Sequence, residues 1–150
     1  MNLFDEKKCA EIVARINRLT PESKAAWGKM NVGEMLCHCA DGIKMATGAR
    51  TVADKSNFLF RHLVKPLVIY VLPMPKGAPT ADEINPQAAG TKPADFEADR
   101  RELLDCLEKF CALPAGYPLA RHAAFGKMSR RQWGLIAHKH LDHHLKQFGV

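Results

Sequence analysis

His138-Lys139-His140-Leu141-Asp142-His143-His144-Leu145-Lys146-Gln147-Phe148 gathers four of the seven histidines into one stretch near the C-terminus. At about 100° per residue, with His140 as zero, Trp133 falls at about +20°, His144 at about +40°, Ala137 at about +60°, Gln147 at about −20° and Ile136 at about −40°. One stripe of a helix therefore begins apolar and turns to imidazole two turns on. Arg131, His138, Lys139, Asp142 and Lys146 fall towards the opposite side, and Leu135 and Leu145 do not fit the stripe. Imidazoles at i and i+4 lie one above the other and can reach one ion together, as in His-Glu-x-x-His helices. His140 and His144 are in this sense half of a metal site. On or beside a buried stripe without partners, His140, His143, His144 and Gln147 would each cost about 1–3 kcal/mol, most of which an ion would offset. The competing reading is a solvated, fraying chain end. His143, at about −60°, suits a place beside the ligands rather than among them, and His138 points away.

The whole chain of 150 residues reads as one domain, 1–150, long enough to bury a core. Its 47% hydrophobic and 25% charged residues are those of a soluble globular protein. The start, Met1-Asn2-Leu3-Phe4-Asp5-Glu6, has neither the basic region nor the apolar run of a signal peptide, so the cytoplasm is the default expectation. Five cysteines in no regular frame suggest reduced thiols rather than a disulfide scaffold. Cys37 and Cys39 bracket His38, but residues two apart on a helix diverge by about 200° and cannot ligate one ion together; they read as packing thiols. The net charge of +6 permits attraction to an acidic partner, yet the bases are scattered, with one cluster at Lys127-Met128-Ser129-Arg130-Arg131. Aromatics interleaved with bases are absent, so a nucleic-acid partner is not expected.

Working outward from the last helix, Ser129 with Gln132 forms a capping box at its start. A first helix is expected from about Asp5 to Leu19, stopped by Thr20-Pro21, with Cys9, Ile12, Val13, Ile16 and Leu19 inward. Asn31 with Glu34 caps a second helix, Val32 to Thr47, ended by Gly48. His38 sits at one edge of its apolar stripe, and Asp41, one turn on, is placed to hold an imidazole in its ligating tautomer. Phe58 to Leu72 is apolar but carries Arg61, His62, Lys65 and Pro66. It is too short and too charged to span a bilayer and reads as an extra kinked helical segment, with apolar surface available for a dimer contact. From Pro73 to Lys92 prolines and glycines exclude regular structure, leaving two readings open, a cover over a pocket mouth or a draped connector. Pro93 opens a third helix to about Cys111. The strings Trp27-Gly28-Lys29-Met30-Asn31 and Phe125-Gly126-Lys127-Met128-Ser129 echo one another, each before a histidine-bearing helix. They would place two similar turns, each with a lysine, near a site entrance, unless the echo is coincidence.

Phe125-Gly126-Lys127-Met128-Ser129, Trp133-Gly134 and His140-Leu141-Asp142-His143-His144-Leu145-Lys146-Gln147-Phe148-Gly149, with Trp27-Gly28-Lys29-Met30 and His38, resemble a bacterial domain family of unknown function in the DinB-like (DinB/YfiT) superfamily. The likeness covers most of the chain. It implies an all-α fold, a four-helix bundle of variant topology that is often dimeric, holding a divalent metal through one histidine of the second helix and two of the last. On matching positions these are His38, heading His38-Cys39-Ala40-Asp41, and His140 with His144, the pair that helical geometry selects. That family usually has His-Pro where this chain has His122-Ala123, so the loop before the last helix is expected to differ.

Three neutral imidazoles leave open positions on a zinc- or nickel-like ion, the pattern of a catalytic site, and such an ion lowers the pKa of a bound thiol or water. Superfamily members include metal-dependent transferases and isomerases using low-molecular-weight thiols. The resemblance thus implies a metal-dependent thiol transferase or detoxification enzyme acting on a small molecule. His143, Asp41 and Gln147 would flank the ligands, and Lys29, Lys127 and Trp27 would contact substrate. The alternative is a non-catalytic, stress-associated helical dimer. A metal hydrolase would need a general base near the ion, and no Glu or Asp offers itself.

Overall fold

The computed structural model describes residues 1–150. The chain is all-helical, with four α-helices: α1 Glu6–Ile16, α2 Val32–Thr47, α3 Phe96–Cys111 and α4 Arg130–Gln147. α2 packs against α3 and α4, and α1 packs against the same two helices. Between α2 and α3 lie two π-helical turns, Phe60–Val64 and Leu67–Val71, and a single 3-10 turn, Asp82–Ile84. No helix is long and apolar enough to cross a membrane.

The two histidine-bearing helices begin as their sequences dictate. Asn31 accepts from Glu34 N while Glu34 returns a bond to Asn31 N, and Ser129 and Gln132 do the same at α4. Each reciprocal box satisfies two otherwise orphaned donors. α2 ends at Gly48, whose φ of 80° is left-handed. The other two helices are shorter than expected. α3 begins at Phe96 instead of Pro93, because the Asp95 side chain accepts from Ala98 N and starts the helix behind it. α1 ends at Ile16, yet Leu19 beyond it is still buried.

The core joins Ile12 and Ile16 of α1, Met35, Leu36 and Ile43 of α2, Leu103, Leu107 and Phe110 of α3, and Trp133, Leu141 and Leu145 of α4. Each such side chain contributes about 1.5–3 kcal/mol by leaving water. α4 is covered on two sides, so the side opposite its stripe, where His138 and the charged residues fall, is also packed. α1 lies over that side: Arg15 pairs with Asp142 at 2.7 Å, and His138 is only 4% exposed with its Nδ1 unpartnered. The N-terminal strand of chain crosses α4 at Gly134, where Leu3 N donates to Gly134 O. A Cβ at Gly134 would run into the Asn2 side chain and the Phe4 ring, so a larger residue there would force both to move.

The segment 58–72 does not simply kink at Pro66. It widens into π turns on either side, Lys65 N bonding Phe60 O and Leu72 N bonding Leu67 O, which accommodates a residue lacking its own N–H. Ile69 is buried, and Lys139 of α4 donates to Val68 O and Leu72 O at 2.8 Å. Phe58, Leu59, Leu63, Tyr70 and Val71 stay exposed.

The cysteines depart in part from the expectation of free thiols. Cys9 and Cys111 are joined as a disulfide, Cα–Cα 6.6 Å, because the inner face of α1 meets the end of α3. Cys37, Cys39 and Cys106 are free. Burial pushes the Cys37 thiol up to about 12 and that of Cys39 up as well, which leaves both unreactive.

Candidate metal centre

His38 projects from the middle of α2, and His140 and His144 project one turn apart from α4. The three imidazoles offer ligand atoms that all lie within 4.8 Å of one another, their ring centroids 4.7–4.9 Å apart. His38 Nε2 faces His140 Nε2 at 2.8 Å. His38 and His144 are buried, and His140 is reached from a cavity that all three line.

Neighbouring acceptors set the tautomers. His38 Nδ1 lies 2.7 Å from the carbonyl oxygen of Ile84, which can only accept, so the Nδ1 proton is there and Nε2 carries the lone pair. At His144 the chain of reasoning has one more link. Gln147 Nε2 donates to Trp27 O, which turns Gln147 Oε1 towards His144 Nδ1 at 2.8 Å. His144 Nδ1 therefore donates as well, and its Nε2 lone pair is free. Two histidines are thus held ready to ligate through Nε2, with a carbonyl and an amide behind them, the outer arrangement common to metal-bound imidazoles. The donor set, three imidazoles with two fixed tautomers, fits a zinc- or nickel-like ion.

Gly28 belongs to this arrangement. Its φ is 83°, and a Cβ there would lie 2.5 Å from Gln147 Nε2. A side chain would be both strained and in the path of the amide that orients His144. Gly126 in the echoing turn also has a positive φ, 64°.

Asp41 does not hold an imidazole; Ile84 O has that place at His38. The carboxylate is fully buried and accepts from Thr91 N and Thr91 Oγ1, each at 2.8 Å, and from Arg50 Nη1 at 3.0 Å. Arg50 also donates to Ala89 O and Glu83 O. Asp41 and Arg50 therefore fasten the stretch 83–91 onto α2, and that stretch carries Ile84. Sequence reasoning missed this clamp, since only the fold brings Arg50 and Thr91 to Asp41. His143 lies beside the cluster, its ring 5.2 Å from that of His144 and 5.9 Å from that of Trp27.

The cavity above the imidazoles has a volume of about 730 Å³. Trp27, Met30, Ile43, Met45, Phe60, Met74, Phe125, Trp133 and Ile136 supply most of its apolar wall. Residues between Met74 and Gln87 form one side of it, so the long loop covers a pocket instead of draping as a bare connector. Trp27 and Lys29 line it as the sequence suggested; Lys127 does not, and Lys55 does. His122 also lines it, its Nδ1 accepting from Ala124 N at 3.1 Å and Phe125 N at 3.3 Å.

Burial depresses the basicity of these imidazoles. It holds His144 down to about 3 and His122 to about 4, and lowers His38 and, well below its usual range, His140, where the neighbouring imidazoles add to the effect. Because these histidines titrate near 6.5 once unfolded, the unfolded chain takes up protons first. Stability is therefore full well above pH 6.5 and falls as pH drops through and below it, by up to about 1 kcal/mol per pH unit for each of His144 and His122, with His38 and His140 acting in the same direction. Thermal unfolding of chelator-treated protein between pH 8 and 5 checks this; a Tm flat across that range would contradict it.

An all-helical chain with a three-histidine cluster at the floor of an apolar cavity is the class that fold and site define. The chain belongs to a family described as proteins of unknown function (DUF1569), whose model matches residues 4–149. No curated protein and no solved structure matches it.

Proposed function

We propose that this protein is a divalent-metal-dependent enzyme of the DinB-like superfamily, a four-helix bundle of that superfamily's variant topology that transfers a low-molecular-weight thiol to a small electrophile. The observation that carries the reading is the convergence of His38, His140 and His144 at the base of a cavity whose lining contains no Asp, Glu or Cys. Three neutral ligands leave the charge of a zinc- or nickel-like ion uncompensated. The ion would lower the pKa of a bound thiol and hold the thiolate as nucleophile.

The chain's own residues supply the rest. Ile84 O and Gln147 Oε1 keep protons on the outer nitrogens of His38 and His144, so that Nε2 faces inward. The apolar wall would disfavour bound water, which limits hydrolysis as a competing reaction. Trp27 and Lys29 line the cavity, where they would meet a substrate, and the His143 ring lies beside those of Trp27 and His144. A hydrolase is the poorer fit, because no carboxylate lines the cavity to act as base.

Zinc- and nickel-loaded protein is to be assayed with small thiols and alkyl or aryl electrophiles, alongside ester substrates. Thiol conjugation that disappears in His144→Ala is the expected result. Stoichiometric metal without turnover in either class would instead favour a non-catalytic helical dimer, for which the exposed apolar face of 58–72 would offer a contact.

A further inference from the structure

The charge of the cavity is one-sided. Among its 31 lining residues there is no Asp or Glu, and the two with permanent charge are Lys29 and Lys55. Both are exposed, and neither ammonium makes a hydrogen bond or ion pair within the chain. A third cation, Lys76, stands 4.0 Å over the Trp27 ring at the same wall. Trp27 itself has its indole Nε1–H buried without an acceptor, a donor that costs about 1–3 kcal/mol while unmet. Lys29, Lys76 and the unmet indole N–H thus gather around Trp27, while Lys55, whose backbone N bonds Ala123 O, lines a separate part of an otherwise apolar wall.

We propose that this cavity binds an amphipathic monoanion, an apolar chain or ring with a carboxylate-like head, the head meeting Lys29 and Lys76 beside Trp27 and the body running along the apolar wall towards Trp133. A neutral apolar molecule would leave the lysines and the indole N–H unmet, and a cationic one would be repelled. The volume of about 730 Å³ suits a medium-sized organic molecule. The substrate role of such a molecule rests on the reading of the site as an enzyme; its binding does not, because rim and wall are complete without an ion.

The test uses protein kept in chelator, which separates it from the metal question. Decanoate, decanol and decylamine present one chain with three heads. Trp27 and Trp133 are the only tryptophans of the chain and both line the cavity, so their fluorescence reports binding there. Decanoate is expected to bind about tenfold tighter than decanol, with decylamine weakest, about 1.4 kcal/mol for the head. A K29Q/K76Q variant, altered only at exposed positions, should bring decanoate down to the affinity of decanol and leave decanol unchanged. Equal binding of acid and alcohol by the unaltered protein, a preference for the amine, or an acid preference that survives both substitutions would overturn the assignment. Failure here with metal bound normally would leave the metal reading standing, and the reverse result would leave this one.

Discussion

Replacing Trp133 with alanine is expected to lower the free energy of unfolding by about 3–5 kcal/mol. Trp133 is 2% exposed and sits on the inner stripe of α4, about two turns before His140. Its ring packs 5.2 Å from that of His122, and its Nε1 donates to Ala120 O at 3.0 Å. Truncation removes the ring, enlarges a cavity already present beside it, and strands a carbonyl. Trp133→Phe separates the two costs, because it keeps most of the apolar area and loses only the bond, about 1 kcal/mol. Urea unfolding of the three proteins measures both; a Trp133→Ala loss below that of Trp133→Phe would contradict the packing described.

Asp41→Ala is expected to cost about 3–5 kcal/mol, because it leaves Arg50 facing a buried void. The Arg50 side chain keeps 25% of its surface in water, which places the effect towards the lower end of that range. The same change releases Thr91 and, with it, the stretch that presents Ile84 O to His38. The variant should therefore lose metal affinity as well, about 10–100-fold, the range for removing a partner behind a ligand. Asp41→Asn, which keeps an acceptor, should retain more of both. Calorimetric zinc titration beside chemical unfolding checks the pair; a variant destabilised but unchanged in affinity would detach the clamp from the site.

The helices that carry the site were the most legible elements in the sequence because their ends are spelled out locally. Asn31 with Glu34, Ser129 with Gln132 and Gly48 each act within one turn, and the structure uses all three. The juxtaposition of His140 and His144 is a consequence of helical spacing alone. His38 was harder to place, since its approach to that pair depends on how α2 and α4 are staggered, which no local signal encodes.

What escaped the sequence is tertiary. His138 falls on the polar side of α4 by angle, and only the packing of α1 buries it. Asp41 looked like a partner for an imidazole at one turn's distance, but Arg50 and Thr91, near in space and not in sequence, claim its oxygens. Lys55 reaches the cavity and Lys127 does not. Cys9 and Cys111, 102 residues apart, meet because α1 crosses α3.

The most direct test of the histidine cluster is the metal content of protein purified without contact with nickel resin, measured by mass spectrometry for the natural chain, His38→Ala and His144→Ala. About one divalent ion per chain, lost from both variants, is the result expected of one site built jointly by α2 and α4. Substoichiometric metal, indifferent to both substitutions, would contradict it.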